Sequence, residues 1–268
     1  MGAGIIVDFL QKDRYDINDL LLIMQKLRAP DGCPWDREQT HESLRNGLIE
    51  ETYEAVEAID TANRDLLEEE LGDVLLQVVF HAQLEQEAGS FSFADVVDGI
   101  AKKMVYRHPH VFGQAHVNNS QDVLENWDAL KKKSKGQETQ SEVLKSVSPS
   151  LPALMRAAKL QKKAFKAGAG AETALRAIEQ TECALAALRG RLLQEEDCGD
   201  AYGDFLFAAA GLSRFVEEEP EEALAKACGR FLVAFCKMER LAEQEGVPLL
   251  PDQREALARL WEAVAVQL

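Results

Sequence analysis

Apolar residues recur at helical spacing along almost the whole chain, and this periodicity limits the possible fold more than any other feature. Leu20–Leu27 and the apolar positions between 71 and 79 are typical of helices that bury one face. The alternation with a period of two that marks half-buried strands is scarce. Proline and glycine punctuate the chain between helical segments. We therefore predict an all-α protein.

Four helices are predicted in the first half, spanning about 16–27, 40–60, 65–88 and 92–107. Asp16 and Ser92 are the predicted N-caps of the first and fourth, and Gly89 is the residue expected to close the third. The segments APDGCPWD and HPHVFG are predicted loops, because proline and glycine interrupt helices. Only the turn DTANRD joins the second and third helices, so these two are expected to lie side by side and antiparallel.

The polar stretch KKSKGQETQSE, near the middle of the chain, has the composition of a linker. It separates two predicted domains, 1–135 and 136–268. Two short motifs of the first half return in the second: GDVLL at 72–76 returns as GDFLF at 203–207, and EETYE at 50–54 returns faintly as EQTEC at 179–183. The sequence therefore indicates a diverged tandem duplication.

The formal net charge of −16 would repel a nucleic-acid backbone, so we expect no nucleic-acid partner. For the same reason, a phosphate-bearing ligand would need a metal ion or local basic side chains. The five cysteines show no CxxC spacing and are expected to be reduced thiols. No apolar run approaches the roughly 20 residues of a membrane span, and the N-terminal sequence lacks a signal-peptide pattern. We expect a cytoplasmic protein without a membrane partner.

Two pairs of carboxylates stand at a spacing that projects each pair from one face of its helix. Glu51 and Glu54 are three residues apart, and so are Glu70 and Asp73. If the two antiparallel helices bring the pairs together, they offer up to four oxygen ligands of the kind that Mg²⁺ or Mn²⁺ accepts. The alternative is an ordinary solvated acidic face, which spacing alone does not exclude.

Three further side chains are candidate ligands of a nucleotide. Lys103 and Arg107 share one face of the fourth helix and suit the oxygens of a polyphosphate, although a solvated basic face has the same pattern. Trp35 can stack on a nucleobase, or it can plug a core. His108 and His110 have a spacing compatible with metal ligation but lack a third partner, which favours a structural turn.

The motifs together resemble the MazG family of nucleoside triphosphate pyrophosphohydrolases. The resemblance rests on GCPWDREQTHESL, EETYE, EELGDVLLQVVFHAQ and the lysine and arginine that precede HPHVFG. It implies an all-α enzyme, with MazG-like four-helix domains packed or intertwined as a homodimer. It also implies Mg²⁺-dependent hydrolysis of a nucleoside triphosphate to the monophosphate and pyrophosphate.

The resemblance assigns roles to the acidic and basic residues of the first repeat. Glu50 is our hypothesis for the residue that orients or deprotonates the attacking water, with Glu69 as its competitor. The implied metal ligands are Glu51, Glu54, Glu70 and Asp73, and the implied phosphate contacts are Lys103 and Arg107.

The second repeat departs from the family pattern. Asp204 keeps a ligand type, but Gln180, Cys183 and Ala201 stand where the first repeat has three glutamates. We expect this half to bind no metal. Two other functions stay open: a catalytically silent nucleotide-sensing or scaffold dimer, and a specialised pyrophosphatase for dUTP or a damaged nucleotide.

Overall fold

The computed structural model describes residues 12–265, and within this range the chain forms helices and turns but no strand. This confirms the predicted all-α class. The chain divides into two compact units, Met1–Leu130 and Lys131–Leu268. The domain limits 1–135 and 136–268, and the duplication, stay predictions, because two compact units need not be copies of one ancestor.

The predicted helices of the first half form where side-chain caps begin them. Asp16, Thr40 and Ser92 each accept a backbone N–H of the first turn, which supplies a partner that a helix N-terminus otherwise lacks. The helices that begin in unit 1 are α1 (Ile17–Leu27), α2 (Pro34–Glu38), α3 (His41–Asp60), α4 (Arg64–Glu87), α5 (Phe93–Arg107), α6 (Pro109–Phe112) and α7 (Ser120–Ser134).

The two segments predicted as loops each contain a short helix, so this part of the prediction was wrong. Pro34 opens α2 and Pro109 opens α6, both within the first turn. Proline is well suited to that position, because its φ angle is already helical and its missing N–H would have had no partner there. A proline thus began a helix where we had expected it to prevent one.

The core of unit 1 lies where α1, α3 and α4 meet. Met24, Leu44, Val79 and Phe80 are buried together, and partly buried leucines surround them. Both α1 and α3 pack against α4, so α4 is the central helix of the unit. The acidic positions of α3 and α4 therefore belong to the best-packed helix pair of the unit.

Unit 2 is also built from helices over its described residues. The linker prediction was too long, because α7 continues through most of its lysines and α8 begins at Gln140, which leaves only 135–139 between helices. No helix described here is both long and apolar enough to cross a membrane. The helices of unit 2 are α8 (Gln140–Lys145), α9 (Ala153–Lys166), α10 (Ala174–Leu193), α11 (Gly199–Gly211), α12 (Ser213–Val216), α13 (Pro220–Gln244) and α14 (Arg254–Ala265).

Candidate active site

The turn between α3 and α4 holds the two acidic helices side by side. Ala62 adopts a left-handed conformation with φ of 52°, and the N–H of Asn63 donates to the carbonyl of Ala58 at 2.9 Å. This is the Schellman arrangement that ends a helix. The Asn63 side chain then accepts the N–H of Leu66 at 3.2 Å and begins α4. The same few residues close one helix and open the next.

Three of the four predicted metal ligands converge between these helices. Glu51, Glu70 and Asp73 each offer a carboxylate oxygen, and these oxygens lie within 4.8 Å of one another. Glu54 is exposed on α3, close enough to raise the pKa of both Glu51 and Glu70. Converging carboxylates repel each other, so the arrangement favours a bound cation.

Glu70 is the least exposed of these acids, with 7% of its surface accessible. Burial raises its pKa first, and the charges of Glu54, Asp73 and Glu51 raise it further. Its Oε2 atom is buried and has no hydrogen-bond partner within the part of the chain that the structure describes. An ionised carboxylate in that position is unfavourable without a counter-ion. The donor set therefore fits a hard divalent cation held by oxygen ligands.

The pKa of Glu51 is raised in the same way, by burial first and then by Asp73 and Glu54. Glu50 and Glu69, the candidates for orienting water, are exposed neighbours of Glu51 and Glu70. Each adds negative charge to the cluster and contributes to the raised pKa of its neighbour. A carboxylate that stays solvated beside a metal site is placed to accept a proton from water.

The two basic candidates occupy different environments on α5. Lys103 is exposed, whereas Arg107 is half-buried in the last turn, with its guanidinium 5.3 Å from the centre of the Trp127 ring. Trp127 also meets the ring of His108 edge-on at 5.0 Å. Sequence reasoning missed Trp127, because a tryptophan twenty residues further along has no local pattern that links it to Arg107.

The two histidines that flank Pro109 make structural contacts at the end of α5. The Nδ1 atom of His108 lies 2.6 Å from the carbonyl oxygen of Met104, and its ring packs against Trp127. His110 lies next to it with ring centres 5.6 Å apart. These contacts agree with the structural turn favoured by the sequence.

Trp35 lies in α2 with 61% of its surface exposed, so it does not plug the core of the chain. Its carbonyl accepts a hydrogen bond from the Gln39 side chain at 2.9 Å. Arg28 fixes this segment, because its guanidinium donates to the carbonyl of Asp36 and to both carboxylate oxygens of Glu87. The indole is therefore displayed from an anchored segment, which leaves its stacking on a nucleobase as a prediction.

Gln77 is a neighbour of the acidic cluster that the sequence did not single out. It stands one turn after Asp73 on α4, and its Oε1 atom is buried without a partner in the region the structure describes. Its Nε2 atom would lie 3.1 Å from a Cβ at position 47, so Gly47 leaves the room that this amide occupies. A single glutamine forms no recognisable spacing pattern in the sequence, so Gln77 is identified only by the pairing of α3 with α4.

The described residues of unit 2 do not reproduce the acidic cluster. Over residues 12–265, the only group of three or more potential ligands is the one on α3 and α4. Asp204 is exposed on α11, and the buried Ala201 occupies the position of a predicted ligand. The expectation that the second half binds no metal stays a prediction.

Sequence comparisons agree with the geometry. The model of the MazG nucleotide pyrophosphohydrolase domain matches residues 39–112, which contain every acid of the cluster. The nucleoside triphosphate pyrophosphohydrolase/pyrophosphatase MazG of Thermotoga maritima is 43% identical over 248 residues, which cover 91% of this chain and 93% of that protein.

Two other relatives extend the comparison. The nucleoside triphosphate pyrophosphohydrolase of Escherichia coli is 38% identical over 256 residues, covering 94% of this chain and 97% of that protein. The protein YabN of Bacillus subtilis is 44% identical over 242 residues, covering 89% of this chain and 49% of that protein. With an acidic helix pair inside the matched domain and similarity along nearly its full length, the chain belongs to the MazG family of nucleotide pyrophosphohydrolases.

Proposed function

We propose that this chain hydrolyses nucleoside triphosphates to the monophosphate and pyrophosphate, with Mg²⁺ or Mn²⁺ held in unit 1. The observation that carries the proposal is the convergence of Glu51, Glu70 and Asp73 within 4.8 Å, with Glu70 buried. Acids that are forced together and withdrawn from water need a cation. Relatives named as nucleoside triphosphate pyrophosphohydrolases support the reaction class.

The four acids have the role of ligands in this proposal. Glu51, Glu54, Glu70 and Asp73 would hold the ion. When bound, it would supply positive charge against the negative charge that develops on the leaving pyrophosphate. Lys103 and Arg107 would contact phosphate oxygens, and stacking on Trp127 restricts the guanidinium of Arg107.

The attacking water needs a proton acceptor outside the ligand set. Glu50 is our choice because it stands beside Glu51 and is exposed, and Glu69 is the competitor beside Glu70. Either carboxylate would accept a hydrogen bond from the water and orient its lone pair towards phosphorus. Trp35 would stack on the base, because its ring is displayed to solvent.

We further propose that the protein is a cytoplasmic homodimer. Ile49, Tyr53 and Val56 form an exposed stripe on α3, on the side roughly opposite the buried Ala55 and Ala58. A long helix of a stable monomer seldom leaves such a stripe in water. A second copy of the chain is the partner that family membership favours.

The decisive experiment measures pyrophosphate and orthophosphate released from ribonucleoside and deoxyribonucleoside triphosphates, dUTP included, with and without Mg²⁺. Glu54→Gln and Asp73→Asn should each abolish turnover, whereas Asp204→Asn, the matched control for Asp73 in unit 2, should leave it unchanged. Retained activity in Asp73→Asn at saturating Mg²⁺ would overturn the site. A wild-type protein that binds triphosphate without consuming it would support the sensing or scaffold function, and turnover confined to dUTP would indicate a specialised pyrophosphatase.

A further inference from the structure

Unit 2 contains a cavity of about 390 Å³ between α9, α10, α11 and α12. This volume lies in the range of sites for small organic ligands, roughly 300–1,000 Å³. Its wall combines alanine and glycine with the aromatic rings of Phe207 and Phe215 and the polar groups of Gln161, Gln180 and Arg214. All of these residues belong to unit 2, so the cavity is separate from the acidic cluster of unit 1.

Arg214 is the charged residue of this wall, and its guanidinium is held in place on several sides. It lies 3.6 Å from the centre of the Phe165 ring and 4.5 Å from that of Phe215. It also donates a hydrogen bond to the carbonyl of Ala171. An arginine fixed in this way loses little further side-chain freedom when it binds an anion, and its planar group suits phosphate oxygens.

The amides of the cavity are also partly fixed. Gln161 donates from Nε2 to the carbonyl of Phe207 at 2.6 Å, and Gly211 leaves room for its side chain. Gln180 stands where the first repeat has Glu51 and presents an uncharged amide instead of a carboxylate. Amide groups that offer both a donor and an acceptor can pair with the edge of a nucleobase, and phenylalanine rings can stack on its face.

The charge of the wall restricts the ligand further. Among the described residues that line the cavity there is no carboxylate, so it offers no ligand set for Mg²⁺. A triphosphate carries more negative charge than one arginine can balance without a metal ion. One arginine, two flat apolar rings and two amides match a molecule with a single phosphate and a planar base.

We propose that unit 2 binds a nucleoside monophosphate in this cavity without a metal ion. The phosphate would pair with Arg214, and the base would lie against Phe207 and Phe215. Such a ligand belongs to the product class of the reaction proposed for unit 1, but its binding does not require that reaction. The unit without the acidic cluster thus keeps a nucleotide-binding role.

The test is calorimetric titration of the full chain with AMP, GMP, CMP and UMP in EDTA, with adenosine as the phosphate-free probe. At least one monophosphate should bind. Ala208→Phe, which fills the cavity, and Arg214→Gln, which removes its charge, should each weaken binding by about tenfold or more. Arg189→Gln, an exposed arginine of α10 outside the cavity, is the matched control and should bind as the wild type does.

Trp35→Ala removes the base contact proposed for unit 1 and so distinguishes binding in unit 2 from binding in unit 1. Monophosphate binding in EDTA should be unchanged in this variant. Binding lost in Trp35→Ala but kept in Ala208→Phe would overturn the proposal, as would the absence of binding by all four monophosphates. Adenosine that binds the wild type as tightly as AMP does would refute the role of Arg214. If Ala208→Phe does not fold, Gln180→Leu at an exposed lining position replaces it. Pyrophosphate release by the Ala208→Phe variant measures the activity proposed for unit 1, independently of binding in the cavity of unit 2.

Discussion

Glu70 lowers the stability of the metal-free protein, although it would serve as a ligand in the metal-bound protein. Its folded-state pKa lies above the ordinary value, because burial and four neighbouring acids disfavour its charge. A carboxyl with a raised pKa contributes its full stability only below the unfolded pKa, and this contribution is lost as pH rises through the folded pKa. Once the pH exceeds the unfolded pKa, ionisation of Glu70 therefore costs the metal-free fold more than it costs the unfolded chain.

Replacing Glu70 by glutamine should raise the melting temperature of the protein at pH 7 in EDTA, because the unfavourable charge is gone. The same change should abolish the rise in melting temperature that Mg²⁺ gives the wild type. Differential scanning calorimetry with and without Mg²⁺ measures both effects. Glu68→Gln, on the exposed side of the same helix, is the control and should alter neither. A metal-free protein destabilised by Glu70→Gln would contradict this account.

The pKa of Glu87, which pairs with Arg28, is shifted in the opposite direction. The hydrogen bonds from Arg28, first among the causes, lower the pKa of Glu87 below its ordinary value of 4.5. The stability from this pair is therefore present above pH 4.5 and is lost as pH falls through the lower, folded-state pKa. The Arg28 side chain is buried and donates three hydrogen bonds to one carboxylate, which distinguishes this pair from an exposed ion pair.

Glu87→Gln should lower the free energy of unfolding by about 1 kcal/mol at pH 7, after allowance for solvent screening of the half-exposed carboxylate. The loss should shrink as the pH falls from 4.5 through the lower folded-state pKa, where the wild-type carboxyl becomes protonated as well. Urea unfolding over a pH series measures it. Asp98→Asn, which breaks the exposed pair with Lys102, should change stability little. A loss independent of pH would show that packing rather than charge is responsible.

The turn that joins α3 and α4 sets the geometry of the active site at the scale of elements. Its left-handed position is occupied by Ala62, although glycine adopts that conformation with less steric cost. The hydrogen bonds of the motif nevertheless form, since Asn63 closes α3 through its backbone and opens α4 through its side chain. Packing of the two helices outweighs the unfavourable conformation of this one residue.

Ala62→Gly should therefore raise the free energy of unfolding by about 0.5 kcal/mol, the relief of strain being partly offset by the greater freedom of glycine in the unfolded chain. Chemical denaturation measures the change. Ala101→Gly, at an exposed position within α5, is the control and should lower stability by about 1 kcal/mol. Equal losses from both substitutions would show that the turn favours alanine.

At the scale of the whole molecule, the exposed stripe of Ile49, Tyr53 and Val56 on α3 predicts a dimer interface. Ile49→Glu with Val56→Glu should convert the proposed dimer to a monomer, because both side chains would place charge in an apolar interface. Sedimentation velocity measures the oligomeric state of each variant. Val216→Glu, at an exposed apolar position of unit 2, is the control and should leave the dimer intact. A wild-type monomer at micromolar concentration would refute the homodimer.

The sequence by itself determined the all-α class, the long helices and their caps. These features depend on residues that are near one another in the chain, as Asp16 and Ser92 show by capping their own helices. The acidic spacing likewise allowed a cluster between α3 and α4, although spacing alone did not exclude a solvated acidic face. The role of each acid in catalysis stays a prediction.

The tertiary structure decided what no local pattern carries. It buried Glu70, packed Trp127 against Arg107 and enclosed the cavity around Arg214. Such contacts join positions from different helices, and each depends on how those helices pack rather than on residue spacing. The short helices opened by proline were missed for a different reason, because a proline that ends one helix can equally begin another. Helices follow local rules, whereas burial and the pairing of distant side chains exist only after the helices have packed.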